Sequence, residues 1–223
     1  MRGKRVLSGL LGLCLLALCA CGKTETPPEP TATPVPTSTP APTPEPERVL
    51  VVYFSRTGEM PEVGAIEKGS TEILAELIAQ RLGADLFEIR PADDRYPTEY
   101  QELYDMALEE QSARARPAIA GTLPALDDYD AVFVGSPVWH GDWPMIMYTY
   151  FEGAALAGKK LVPFCTNQGS GLAGLDEKLA LACPRSRVEK GLAVLGTDAQ
   201  NNPEKVDRAV DRWLTGLGYA ISE

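Results

Sequence analysis

The stretch VLVVYFSRTGEM, Val49–Met60, decides the fold. Leu50 to Phe54 are apolar without interruption, and Val49 leads in. A short continuous apolar run of β-branched and aromatic residues reads as a strand buried on both faces. It stops at once on Ser55, Arg56, Thr57 and Gly58. Two hydroxyls, a charge and a glycine at the mouth of a core strand suit an anion. Hydroxyls and backbone N–H groups would surround it where a helix begins. Eleven residues separate Gly58 from Ser70 and Thr71. Taken alone they read as N-caps of the next helix, with hydroxyls able to join the same anion site.

Outward from Val49–Phe54 the pattern alternates. Ile73, Leu74, Leu77, Ile78 and Leu82 give Thr71–Leu82 a helical face, stopped by Gly83. Asp85–Arg90 reads as a short strand closed by Pro91. Tyr100, Leu103, Tyr104, Ala107 and Leu108 share one face of a second helix. Ala131–Ser136 is a strand, followed by a helix over Pro144–Phe151 that Asp142 and Trp143 begin. Lys160–Cys165 is a strand, Leu172–Leu181 a helix and Val188–Leu195 a weaker strand. Asn202 caps a last helix with Pro203 at its first position. Five apolar strands, each followed by a helix, predict an α/β domain with a parallel sheet covered on both faces. Ligands of such sheets sit beyond the carboxyl ends of the strands. The loops after the first, third and fourth strands therefore carry the functional question.

The loop after the third strand, GSPVWHG, presents Trp139 and His140 between Pro137, Val138 and Gly141. Trp139 suits stacking on a flat ring, or it folds back onto the sheet edge. His140 is the only histidine, so any histidine-based triad or metal site needs it. It reads either as solvated or as a donor to a ligand carbonyl. The loop after the fourth strand, CTNQGSGLAG, brings Thr166, Asn167, Gln168, Gly169 and Ser170. Its glycines let backbone N–H groups approach a ligand closely. No lysine-bearing phosphate loop and no GxGxxG occurs. Cys165 has no partners at metal-ligand spacing, and nothing nearby activates it as a nucleophile except His140.

The formal net charge is −10. Arg2, Lys4, Arg5 and Lys23 balance Glu25, Glu29, Glu45 and Glu47, so the whole excess lies from Arg48 onward. That argues against nucleic acid, which needs a basic surface. Residues 1–21 read as an export signal. Arg2, Lys4 and Arg5 precede an apolar run, Val6–Ala20, that is short for a membrane span. The ending Leu18-Cys19-Ala20-Cys21 is similar to the lipobox of bacterial lipoproteins, which implies lipidation of Cys21; a plain signal peptide cut nearby is the alternative. Residues 22–47 hold nine prolines among threonine and glutamate. Such a segment cannot build a core and makes an extended tether of roughly 80 Å at ~3.1 Å per residue. Residues 48–223 form the folded domain, with Cys165 and Cys183 as its cysteines; export permits a disulfide between them, and two buried free thiols is the reading preferred.

Together the stretches VVYFSRTG, GADLFEI, GSPVWHGDWPM and PFCTNQGSGLAG resemble the flavodoxin family over Arg48 to Tyr219. SRTGE followed by Gly69-Ser70-Thr71 is similar to members whose first loop reads SRxGE, then an insertion, then GNT. The resemblance implies a flavodoxin-like three-layer sandwich, a five-stranded parallel sheet in the order 2-1-3-4-5, and non-covalent FMN. By position it implies that Ser55, Arg56, Thr57, Gly58, Ser70 and Thr71 hold the phosphate. Pro137, Val138, Trp139, His140 and Gly141 would lie along the isoalloxazine, and Thr166, Asn167, Gln168, Gly169 and Ser170 along the ribityl side or far ring edge. Many flavodoxins stack a tyrosine from the third of these loops; this chain has none there. One ring face is thus open, or covered by the Glu59–Gly69 insertion. The leading expectation is an FMN redox protein, lipid-anchored outside the cytoplasmic membrane of a bacterium, exchanging electrons with a redox protein or a small acceptor. The alternatives are an NAD(P)H-dependent quinone or azo-type reductase, and a binding module that has lost its flavin.

Overall fold

The computed structural model describes residues 47–221. The expected export signal and all but the last residue of the tether lie outside them. In chain order the strands are β1 (Val49–Tyr53), β2 (Gly58–Met60), β3 (Gly64–Ile66), β4 (Asp85–Glu88), β5 (Ala131–Pro137), β6 (Lys160–Asn167), β7 (Arg187–Val188) and β8 (Leu192–Leu195). The helices are α1 (Ser70–Leu82), α2 (Tyr100–Ala113), α3 (Met145–Gly153), α4 (Leu175–Ala182), α5 (Gly196–Asn201) and α6 (Pro203–Gly216).

β1 lies between β4 and β5, and β6 lies beyond β5, all parallel. β7 and β8 both pair with β6, so together they are one outer strand in two pieces. The order is 2-1-3-4-5 with the fifth strand broken. Val188 stands opposite Leu161, yet Leu192 stands opposite Phe164, so the outer strand carries one residue too many. That is a β-bulge. Its cause is Pro163. The Glu189 amide bonds the Leu161 carbonyl, which fixes Leu161 and, two residues on, Pro163 as facing the outer strand. Proline has no N–H to offer, and the ladder breaks where the donor is missing.

Alternation along β1 feeds two cores. Leu50, Val52 and Phe54 join Ile146, Tyr150 and Leu179 on one face. Val49, Val51 and Tyr53 join Leu74, Ile78, Val206 and Val210 on the other. Helices cover both faces, as the doubly apolar strands require. The insertion before α1 is a β-hairpin of β2 and β3, which helix and strand periodicity did not reveal. Its turn has a sequence signature all the same, Pro61-Glu62 followed by Gly64, with Glu62 and Gly64 at positive φ.

Two helix starts differ from expectation. Gly69, not Ser70 or Thr71, occupies the N-cap of α1. α3 begins at Met145, because Asp142 closes a turn with Trp139 and Trp143 is buried with its Nε1 donating to the Leu175 carbonyl.

Cys165 and Cys183 are buried and free. Burial, with the Asp176 charge adding, pushes the Cys165 thiol up to about 12; burial pushes Cys183 up to about 11. Both hold their protons more tightly folded than unfolded. Stability is therefore unaffected below the ordinary thiol pKa of about 8.5 and falls as pH rises above it. In native protein at pH 8 neither thiol should take up a thiol-specific alkylating label, whereas both should in urea. Mass-spectrometric mapping of the label checks this, and labelling of Cys165 without unfolding would contradict it.

Candidate functional site

A cavity of ≈ 350 Å³ opens beyond the carboxyl ends of β1, β5 and β6. The size is that of a small-molecule site. One end is polar and lies at the start of α1. Strand β1 delivers Ser55 there, and its Oγ accepts the Glu72 amide at 3.1 Å. A residue from the preceding strand thus caps the helix. Helix geometry gives the amides of Ser70 and Thr71 no intrahelical acceptor, so they remain available to an anion. Thr71 Oγ1 lies 2.7 Å from Thr166 Oγ1. One hydroxyl of that pair donates to the other, which leaves a single hydroxyl hydrogen for a ligand. Ser70 is more committed: its hydroxyl donates to the Gly196 carbonyl and accepts from Gln200 Nε2.

The other end is aromatic. His140 and Gly141, at φ 47° and 71°, form a two-residue turn that carries Trp139. The Trp139 ring meets Phe54 at 5.4 Å and Tyr96 at 5.2 Å, both edge to face, while it also lines the cavity. Trp139 packs back on the sheet edge, as one of its two sequence readings has it, and it lines the cavity as well. His140 does not offer its Nε2 to a ligand. Nε2 is 2.8 Å from the Tyr104 carbonyl, which only accepts, so Nε2 carries the hydrogen and donates there.

Arg56 also departs from the expected phosphate role. Its Nε donates to the Thr57 carbonyl, and its Nη2 to the carbonyls of Glu59 and Thr98. Burial lowers its pKa, with the Glu59 charge acting the other way. The guanidinium fastens the hairpin to the loop before α2. Glu59 strengthens that joint: its amide donates to the Thr98 carbonyl and its carboxylate accepts the Tyr100 amide at 3.1 Å. Gly58 is a bend into β2 at φ 100°, where a Cβ would strike Thr98.

Of the residues expected from sequence, the cavity gathers Ser55, Arg56, Ser70, Thr71, Pro137 to Gly141, Thr166, Asn167, Gln168 and Ser170. Thr57, Gly58 and Gly169 do not line it. Asn167 is a loop organiser. Its Oδ1 accepts the amides of Gly169 and Gly171, and its Nδ2 donates to the Val194 carbonyl. With Asn167 5% exposed, Asn167→Ala strands the buried Val194 carbonyl and removes the acceptor of two partly buried glycine amides. The expected cost is about 2–4 kcal/mol, read as a lower urea midpoint at unchanged slope.

Sequence reasoning offered the Glu59–Gly69 insertion as a cover but named none of its side chains as lining, and it missed two tyrosines. The hairpin adds Glu59, Met60, Pro61 and Ile66 to the lining, and α2 adds Tyr100 and Tyr104. Those tyrosines belong to the apolar stripe read for α2, yet they are 40% and 43% exposed, while Leu103 and Ala107 on the same stripe are buried. Met60 reaches the polar end, where Ser70 Oγ lies 3.3 Å from its Sδ and a Cβ on Gly196 would overlap its methyl. The hairpin that the sequence offers as a cover for one ring face thus lies along the cavity wall. Among the described residues no cluster of three or more His, Cys, Asp or Glu could hold a metal.

The two ends fit the expected cofactor: amides and a hydroxyl at a helix start for its phosphate, Trp139 for its ring. The flavodoxin family model matches residues 48–210. No curated protein matches the chain. Among solved structures it is similar to candidate flavoproteins of two Bacteroides species. That from Bacteroides uniformis is 27% identical, with TM-score 0.60 over 74% of this chain and 98% of the other. That from Bacteroides eggerthii is 27% identical, with TM-score 0.62 over 77% and 98%. A flavoprotein in complex with FMN from Lactobacillus acidophilus shares the fold at 20% identity and TM-score 0.53, over 69% of this chain and 97% of that one.

Proposed function

The chain belongs to the flavodoxin family, and from its site we propose that it is an FMN-binding redox protein that carries electrons between partners. The observation that carries this is a single cavity with unpartnered helix-start amides at one end and Trp139 at the other. Bound there, FMN supplies one- or two-electron chemistry at its isoalloxazine ring. The amides of Ser70 and Thr71 and the hydroxyls of Ser55 and the Thr71–Thr166 pair hold the phosphate. Trp139 orients the ring by contact, backed by Phe54 and Tyr96. Met60 and Pro61 exclude water from the covered side.

The lining charge supports a carrier over an NAD(P)H reductase. Among the described residues Arg56 is the one Lys or Arg side chain that lines the cavity, and three of its hydrogen bonds go to backbone carbonyls. A nicotinamide dinucleotide brings phosphates that find no dedicated cation here, and Glu59 repels them. Cys21 as a lipid anchor, with residues 22–47 as a tether outside the membrane, is part of the same proposal and rests on the sequence.

The test is purification without added cofactor, followed by an absorption spectrum and a fluorescence titration with FMN. A yellow protein, or saturable quenching at micromolar FMN, is expected; a colourless protein with no thermal shift in FMN would refute the reading. Steady NAD(P)H oxidation with a quinone would favour the reductase. Cys21→Ala should move the protein from the detergent phase to the aqueous phase.

A further inference from the structure

We propose that Trp139, Tyr96 and Glu110 form a one-electron relay running inward from the cavity wall, in which Tyr96 gives up its electron and its proton together. None of the three is needed to hold a phosphate, and Tyr96 and Glu110 do not line the cavity. Trp139 does, and its ring lies 5.2 Å from that of Tyr96 at an interplanar angle of 75°. The Tyr96 hydroxyl donates to Glu110 Oε2 at 3.2 Å. Glu110 is only 7% exposed. A buried carboxylate needs partners, and its second oxygen has one: Arg95 Nη1 at 3.1 Å. Arg95 reaches the surface, where Asp93 grips it through two hydrogen bonds.

This constellation has the parts of a proton-coupled electron donor. A phenol gives up an electron readily only if its proton leaves with it. Burial, with Glu110 adding, holds the Tyr96 phenol far above its ordinary pKa, so the proton does not leave beforehand. Tyr129 bonds Asp85 and Tyr148 bonds Asp142 in the same way, but neither has a ring contact with Trp139 among the described residues. Among the described residues Tyr96 alone joins the carboxylate to the cavity wall.

The step balances as follows. A one-electron oxidant in the cavity takes an electron from the Trp139 indole. Tyr96 returns that electron to Trp139, and its phenolic proton crosses the hydrogen bond to Glu110 Oε2. In sum the oxidant is reduced by one electron, Tyr96 becomes a neutral phenoxyl radical, Glu110 becomes a carboxylic acid and Trp139 is restored. With FMN bound, its light-excited ring would supply that oxidant, and that arm rests on the function proposed above; a soluble photo-oxidant tests the relay without it.

The experiment is laser flash photolysis of the full chain, once loaded with FMN and once flavin-free with a soluble ruthenium photo-oxidant. A neutral tyrosyl radical is expected in both arms, with slower formation in deuterated water. Tyr96→Phe should lose that radical in the FMN arm and prolong the tryptophan radical. Glu110→Gln should slow radical formation on the order of a hundredfold, the scale of losing a positioned base, with circular dichroism confirming the native fold. An unchanged tyrosyl yield in Tyr96→Phe, or an unchanged rate in folded Glu110→Gln, would overturn the relay. A radical that depends on Tyr96 and Glu110 in the soluble arm, with no flavin bound in the other, would support the relay and sink the cofactor reading.

Discussion

Gly69→Ala should abolish tight FMN binding while leaving a folded protein. Gly69 has φ −69° and ψ 144°, a conformation open to any residue, so its requirement is one of space alone. A Cβ there would overlap Ser55 Oγ and crowd the Arg56 carbonyl. Ser55 and Arg56 cannot retreat without leaving the end of α1, because Ser55 Oγ is the acceptor for the Glu72 amide. Overpacking of this kind costs about 1–3 kcal/mol of stability. The larger effect falls on the ligand. A phosphate held by amides and a hydroxyl across this junction would lose one or two charge-assisted bonds, each worth about 1.5–3 kcal/mol. That is roughly a hundredfold or more in affinity. Fluorescence titration reads the affinity and thermal unfolding the stability. Thr57→Ala is the contrast: Thr57 is exposed and outside the cavity, so its affinity should stay near wild type despite its place in the SRTG stretch. Equal affinity in Gly69→Ala and wild type would show that the phosphate lies elsewhere.

Trp139→Ala should be the most damaging single truncation at the aromatic end. The indole is the shared neighbour of Phe54 and Tyr96, and Phe54 is 1% exposed at the end of β1. Removing it deletes two edge-to-face contacts and opens the cluster to water. Large aromatic truncations cost about 3–5 kcal/mol when fully buried; the partial exposure of Trp139 places this one near ~2–3 kcal/mol. For a domain of this size that lowers Tm by roughly 5–10 °C. The flavin ring would lose its contact surface as well, so affinity and stability fall together. Trp139→Phe should recover most of the stability but only part of the affinity. A variant that keeps full FMN affinity with alanine at 139 would show that the indole is structural only.

Much of this architecture could be read from residue order. Apolar runs such as Leu50–Phe54 and Ala131–Val134 announce strands buried on both faces, and helical stripes between them force a parallel sheet. Polar strand ends then mark where a ligand goes. The rest is less periodic. The hairpin is three residues a side, too short for alternation to stand out. The bulge depends on Pro163 facing the outer strand rather than β5, and that parity is set by pairing, not by composition. Asn167 and Arg56 look like ligand contacts from their loops; only the surrounding carbonyls and amides show them holding backbone instead. Tyr100 and Tyr104 belong to an apolar stripe, and only their exposure separates them from Leu103 and Ala107 on the same helix.

The walls of the cavity have a bearing on when it comes into being. Ser55 stands near the front of the domain and Gly196 near its back, and Met60 closes against Gly196 only once α5 has docked. A nascent chain that has released its first three strands still lacks that backstop. Cofactor loading is therefore a late event, reserved for the finished fold, and a truncated chain should be unable to retain a nucleotide however well its early segments assemble.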